Sequence, residues 1–147
     1  MNLTDGGYLQ PCSYVVDKLM IEPYDDYDSK APKKLGRFGC DTFIKRLSDG
    51  HSYLLHIEMD ISIDEPGDSL PYHVIMQATS AFPAKAQNEE NEEWLFSNGF
   101  QILFGLMCGD IAATTSRFQY GTFVPAVIDV SQIANTFKKE FFATRLK

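Results

Sequence analysis

Basic residues are in short supply in this chain. Thirteen Lys and Arg stand against twenty Asp and Glu, for a formal charge of −7 over 147 residues. A surface of that sign repels polyanions, which argues against nucleic acid and acidic membranes as partners. Cysteine is sparse and odd in number, with Cys12, Cys40 and Cys108 far apart. Three separated thiols make no disulfide framework and fit a reducing compartment. The apolar runs fall well below membrane-spanning length. The start of the chain carries Asp5, Asp17 and Lys18 and lacks an apolar run behind a cationic segment, so no signal peptide is expected. These absences predict a soluble, cytoplasmic protein.

Catalytic groupings are missing too. No Gly-rich phosphate loop precedes a helix, since Gly105 and Gly109 fall inside one. His51 sits in a turn, and His56 and His73 fall on candidate neighbouring strands, where neither has a Cys or carboxylate at a metal-ligand spacing beyond His56-Ile57-Glu58. Cys108 lies on an apolar helix, where a packed thiol explains it, and Cys12 and Cys40 have no histidine in sequence reach. Glu58 and Asp60 share the polar face of a strand, which exposure explains. No reaction class emerges, and no catalytic residue, metal or cofactor is assigned. One alternative stays open: a small-ligand-binding or enzymatic α+β domain with His56, His73 and Glu58 lining a pocket.

What the chain does have is apolar and aromatic mass. Apolar residues make up 44% and aromatics 13%, including eleven Phe and seven Tyr, enough for one domain with one core. Whatever that core cannot bury must line a groove or a subunit interface. The acids gather in Asp25-Asp26-Tyr27-Asp28 and in Glu89-Glu90-Asn91-Glu92-Glu93. A solvated loop and the acidic first turn of a helix account for them, and attraction of a basic partner is the other reading.

Periodicity orders the elements. Residues 1–12 read as a loose terminus, and Ser13 to Glu22 as a strand stopped by Pro23. Residues 23–38 form a long connection of the kind that is uncommon in compact domains and often functional. Cys40 to Leu47 is a second strand, and Ser48-Asp49-Gly50-His51 a hairpin turn. From Tyr53 to Ile63 alternation is clean, with Tyr53, Leu55, Ile57, Met59, Ile61 and Ile63 on one face. After the turn Asp64–Asp68, Leu70 to Phe82 is the fourth strand. Past Pro83 the period becomes helical: Asn88 to Phe96, an interruption at Asn98-Gly99, then Phe100 to Arg117 with Phe100, Leu103, Phe104, Met107, Ile111 and Thr114 on one side. Gly105, Gly109, Ala112 and Ala113 form the opposite flank, where each glycine costs roughly 1 kcal/mol relative to Ala but lets another backbone approach. Phe118 to Val127 is an apolar loop, a candidate groove wall. Asp129 or Ser131 caps a last helix with Ile133, Phe137 and Phe141 on one side. Strands followed by helices predict an α+β fold.

Gln101-Ile-Leu-Phe104, leading into a helix that ends Thr115-Ser116-Arg117, resembles a segment of the SecB export chaperones that runs from Asn-Ile-Leu-Phe to a terminal Ser-Arg. The apolar loop from Phe118, Ile128-Asp129-Val130, and Met76 to Phe82 are similar to that family's loop, helix start and fourth-strand end. The resemblance covers roughly residues 13–142, with Gly105 where the family often has Pro and Thr79-Ser80 where it often has Gly-Gly. It implies a four-stranded antiparallel sheet with helices packed on one face, in a homotetramer built as a dimer of dimers. Such an assembly holds unfolded preproteins without ATP and passes them to the secretion machinery. On that template Leu35, Phe38, Phe43, Phe118, Tyr120, Phe123 and Val130 are the expected client-binding groove. Gly105, Gly109, Ala112 and Ala113 are the expected oligomer interface. Glu22 matches one acid of the surface that contacts the secretion motor, whereas Lys18 and Ile75 stand where others are expected. Those two departures favour an alternative role, that of a dedicated chaperone for a single partner such as an antitoxin.

Overall fold

A sheet whose strands alternate apolar and polar residues has one face to cover, and the strands of this chain arrange themselves accordingly. The computed structural model describes residues 13–30, 36–64, 69–125 and 129–145. The expected loose terminus, Leu35 and most of the Asp64–Asp68 turn lie outside them. Strands β1 (Ser13–Pro23), β2 (Arg37–Arg46), β3 (Ser52–Ser62) and β4 (Tyr72–Pro83) form one antiparallel sheet in the order β1-β4-β3-β2. One face of the central pair is buried: Tyr53, Leu55, Ile57, Met59 and Ile61 of β3 with Tyr72, Val74, Met76, Ala78 and Phe82 of β4. The other face bears Leu54, His56, Glu58 and Asp60 beside His73, Ile75, Gln77 and Thr79 and, among the described residues, carries no helix.

Two boundaries differ from expectation. β2 begins at Arg37, so Phe38 is a strand residue and the long connection is shorter than 23–38. Its partner Ile61 and the ring of Phe104 draw Phe38 into the sheet, a long-range pull that local propensity does not report. In β1 the register slips between Val16 and Lys18, a bulge that leaves Asp17 as the extra residue. Its carboxylate accepts a hydrogen bond from Thr79 at 2.6 Å and lies 3.5 Å from His56.

Helix α1 (Glu89–Trp94) starts at Asn88, whose side chain accepts the Asn91 N–H. The chain stays helical to Thr115, passing through a π-helical turn (Leu95–Gly99) into α2 (Phe100–Thr115). The interruption expected at Asn98-Gly99 is thus a single wide turn. It re-phases the helix: Leu95 and Phe100 are buried in the main core, while Phe96 meets Phe141 of α3 (Val130–Arg145) with ring centres 5.0 Å apart. Gly99 permits the close approach, because a Cβ there would stand 3.2 Å from Leu95 and 3.5 Å from Phe82. By length and composition Glu89–Thr115 would suffice to cross a membrane, contrary to the sequence reading, but Leu103, Phe104, Met107 and Ile111 bury its apolar stripe in the core. Thr115, rather than Thr114, ends that stripe. Asp129 caps α3 by accepting the Gln132 N–H at 3.1 Å.

The acidic run at the helix start is not wholly solvated. Glu92 is 0% exposed. It accepts two hydrogen bonds from the Arg46 guanidinium, both at 2.9 Å, and one from the Tyr53 hydroxyl at 2.9 Å. The group ties the end of β2 and the start of β3 to α1. Burial, then the bond to Glu92, pushes the Tyr53 hydroxyl up to about 12. Removing one partner of such a group strands the others. Glu92→Ala is therefore expected to cost roughly 3 kcal/mol of unfolding free energy in urea titrations.

The β2–β3 hairpin depends on Asp49, which accepts the backbone N–H groups of His51 and Ser52 at 2.9 and 2.8 Å, while Gly50 takes a positive φ of 84°. Hydrogen bonds, first from the Ser52 side chain and then from the His51 backbone, hold the Asp49 carboxyl below its ordinary range. A depressed folded pKa stabilises fully above the unfolded value and is lost as pH falls through the folded one. Asp49→Ala is expected to lower Tm near neutral pH, with the gap to the parent closing as pH drops below about 4 in thermal melts.

Candidate functional site

Aromatic side chains form a continuous seam from the β2 edge across the helices. Phe38 meets Phe104 edge-on at 6.0 Å, Phe104 stacks on Phe100 at 5.9 Å, and Phe100 meets Phe137 at 5.9 Å. Beyond it, Phe141 contacts Phe96 at 5.0 Å and Phe142 at 5.2 Å. Phe100 and Phe104, like Phe137 and Phe141, are spaced four apart, which sets each pair on one helix face. Phe38, Cys40, Ile44, Val130, Ile133 and Phe137 pack against the core but stay only partly covered. The rings of Phe96, Phe100 and Phe104 are buried, and the flanking residues of β2 and α3 leave half-buried apolar surface beside an edge strand.

A second aromatic group surrounds Tyr72 at the start of β4. Its hydroxyl donates to the Gly121 carbonyl at 2.8 Å and accepts the Tyr120 N–H at 3.1 Å. Phe118, Tyr120 and Phe123 place their rings 5.8, 5.8 and 6.2 Å from it. Tyr120 donates to the Tyr24 carbonyl at 2.6 Å, and the Phe123 N–H donates to Thr115 at 2.8 Å. Gly121 turns the chain with a positive φ of 77°. The loop's rings point inward, half-buried, and Val124 is the large apolar side chain it leaves exposed, at 61%. Burial pushes the Tyr72 hydroxyl up.

The expected groove residues therefore divide. Phe38 pairs with Ile61, Ile61 with Val74, and Tyr72 is the next residue on that face, so Phe38 and the Tyr72 cluster with Phe118, Tyr120 and Phe123 share one end of the helix-bearing side. Val130 packs on the same core from α3. Phe43 stands apart. Odd-numbered positions of β2 point to the open face, where Phe43 is 53% exposed and stacks on His56 at 4.6 Å. Leu35 lies outside the described residues. Phe104, Phe137 and Phe141 had been assigned only to helix faces; their fourfold spacing was the available signal.

The open face carries Glu22 and Lys18 of β1 and Ile75 of β4, through the pairs Glu22–His73, Lys18–Gln77 and Met20–Ile75. His73 lies 3.0 Å from Asp60. His56 lies 2.8 Å from the Thr79 hydroxyl through Nδ1 and 3.2 Å from Glu58 through Nε2. A hydroxyl, an imidazole and a carboxylate in line resemble a nucleophile with its base, but Thr79 directs its single proton to Asp17. Both central strands β3 and β4 are paired on both sides, so their backbones are committed to the sheet. Among the described residues no three His, Cys, Asp or Glu are placed to hold a metal ion. Burial, with Asp41 adding to it, pushes the Cys40 thiol up to about 12, and burial alone pushes Cys108 to about 11, so neither is a thiolate at neutral pH.

On the outer flank of α2, a Cβ at Gly105 or Gly109 would meet nothing within 4 Å. Ala113 is exposed and Ala112 half-buried beside them. Ile102 and Leu106 are 38% and 41% exposed, giving the flank an apolar, low-relief surface.

No protein-family model and no curated protein matches this sequence. Solved structures are similar to it. A SecB-like chaperone of Mycobacterium tuberculosis, in complex with a ChAD peptide from the HigA1 antitoxin, aligns with 86% of this chain and 94% of its own, with a TM-score of 0.67 at 8% identity. A protein of unknown function from Streptococcus agalactiae aligns over 82% and 98%, with a TM-score of 0.50 at 9% identity. At such identities the likeness is one of fold. The chain has the SecB-like fold, a four-stranded antiparallel sheet with helices on one face.

Tyr72→Phe removes both hydroxyl bonds that pin the 116–125 loop while keeping the ring. It is expected to cost about 1–2 kcal/mol and to speed amide exchange at Tyr120 in hydrogen-exchange measurements.

Proposed function

We propose that this chain is an ATP-independent holding chaperone that binds unfolded or preprotein polypeptides in the cytoplasm and assembles as a homotetramer, a dimer of dimers. The observation that carries the reading is the partly covered apolar surface that β2 (Phe38, Cys40, Ile44) and α3 (Val130, Ile133, Phe137) leave on either side of the buried rings of Phe100 and Phe104. Apolar area left partly open, next to a strand edge and away from any reactive group, suits binding of extended apolar chain. Each client Phe or Leu buried there contributes ~1.5–3 kcal/mol. Several such contacts, each weak enough to break, give reversible and promiscuous holding. The client groove in this reading lies between Phe38 on β2 and Val130 on α3 and is walled at one end by Phe118, Tyr120 and Phe123. The net charge of −7 keeps the particle soluble and favours basic stretches of clients.

Self-association in this reading uses the outer flank of α2, where Gly105, Gly109, Ala112 and Ala113 admit close approach and Ile102 and Leu106 supply apolar area. Leu106→Glu is expected to reduce the native mass, measured by light scattering, while leaving the helical signal in circular dichroism unchanged. An unchanged mass would remove that flank from the interface.

A second reading, a dedicated chaperone for one partner such as an antitoxin, is favoured by Lys18 and Ile75 on the open face at positions expected to be acidic. Glu22 remains there as a contact for a secretion motor. The likeness in fold to a chaperone solved with an antitoxin peptide is in keeping with it. Affinity capture from native lysate separates the two: one stoichiometric partner supports dedication, and many clients together with the motor support general export.

The main test is suppression of aggregation of a reduced, unfolded client, followed by light scattering, alongside the native mass. Suppression by a tetramer is expected. A monomer without effect on aggregation would sink the proposal.

A further inference from the structure

β2 is an edge strand with an unbroken register of ten residues against β3, from Arg37–Ser62 to Arg46–Tyr53. The other edge, β1, is interrupted by the bulge at Asp17 and ends in Pro23. A regular antiparallel strand turns the N–H and C=O of alternate residues away from its partner. On β2 these are the even positions, because the Thr42 N–H is held from outside the ladder by the Asp41 carboxylate at 2.9 Å. The outward row is therefore Phe38, Cys40, Thr42 and Ile44, spaced for an added strand. Natural edges are commonly blocked by bulges, prolines or charges. Here the Asp41 carboxylate covers the Thr42 N–H in the middle of the row, through a bond that is exposed.

The side chains beside this row fit an apolar occupant. On the helix-bearing side, Phe38, Cys40 and Ile44 are partly covered and continuous with the aromatic seam. On the open side, Phe43 is more than half exposed. The charge is also one-sided at the centre. Asp41 lies directly opposite Glu58, and Gly39 opposite Asp60. Like charges facing each other across a ladder are destabilising. A cation placed next to Asp41 relieves that repulsion.

We propose that the outer edge of β2 takes an extended segment of a client polypeptide as an additional strand, with apolar residues at alternate positions and a Lys or Arg beside Asp41. Binding moves the Asp41 carboxylate from the Thr42 N–H to the incoming cation, and the freed N–H pairs with the client backbone. Backbone pairing supplies affinity that does not depend on client sequence, and the seam and Asp41 supply preference. The occupant's identity rests on the holding-chaperone reading; the edge geometry does not.

The test uses the full-length protein and a synthetic peptide of alternating leucine and threonine with one central lysine. Two companion peptides carry, respectively, N-methyl groups on alternate backbone nitrogens and glutamate in place of the lysine. Binding of the parent peptide is expected to slow amide exchange at Phe38, Cys40, Thr42 and Ile44. N-methylation on the pairing side is expected to weaken binding by about tenfold or more. Asp41→Lys, a substitution at an exposed position, is expected to reverse the preference between the lysine and glutamate peptides. Equal binding of the methylated and parent peptides would overturn the edge proposal and leave the holding function intact. So would failure of all three peptides to bind while aggregation is still suppressed. Loss of both peptide binding and suppression would overturn the two together.

Discussion

Everything in this chain hangs on one buried contact, the apolar face of β3 and β4 beneath the helix running from Glu89 to Thr115. Fully burying a Val, Leu, Ile or Phe contributes about 1.5–3 kcal/mol, and the contact buries residues from both central strands and from α2. It is a two-layer solution, and two layers cover only one side of each. The open sheet face, the outer flank of α2 and the edge of β2 are left to solvent by geometry rather than by chance of sequence. The π-helical turn extends the same contact to a third element. By adding a residue to one turn it lets Leu95 and Phe100 serve the sheet while Phe96 serves α3.

Polar groups act where that burial fades. Glu92 with Arg46 and Tyr53 fastens one end of the sheet to α1. Tyr72, with Gly121 and Tyr120, fastens the opposite end to the loop after α2. His56, Thr79 and Asp17 hold the bulge of β1 against the open face. Between the two fastened ends the seam is held by apolar packing and ring contacts.

Much of this was legible in the sequence. Period-two alternation in β3 located the central strand to within a residue at each end, and the switch to helical spacing after Pro83 located α2. The Asp49-Gly50 turn and the Asp129 cap were read from local chemistry that the fold keeps. What escaped depends on partners distant in sequence. Phe38 is a strand residue because of Ile61 and Phe104. Glu92 is buried because Arg46 and Tyr53 meet it, whereas its neighbours in the acidic run stay exposed. Phe43 and Phe38 are both groove residues on the family template, and strand parity separates them onto opposite faces of the sheet. Phe118, Tyr120 and Phe123 look like free anchors in an apolar loop until Tyr72, more than forty residues earlier, is seen to gather them.

An acidic chain that leaves aromatic surface partly open faces a conflict between solubility and binding. The charge distribution resolves it by separation. Glu58, Asp60 and Asp41 lie on the open face or at its margin, whereas the seam lies on the other side of the same strands. Parity along β2 is what makes this possible, since each step along the strand changes the face. The charges nearest the apolar shelf therefore sit at the edge of β2, where another chain would first arrive. Like charges facing each other, as Asp41 and Glu58 do, slightly weaken a ladder, and a charge at an edge hinders the addition of an acidic strand. A cation beside Asp41 and Glu58 would relieve their repulsion, so the charge that guards the edge against self-association would favour a basic segment over an acidic one.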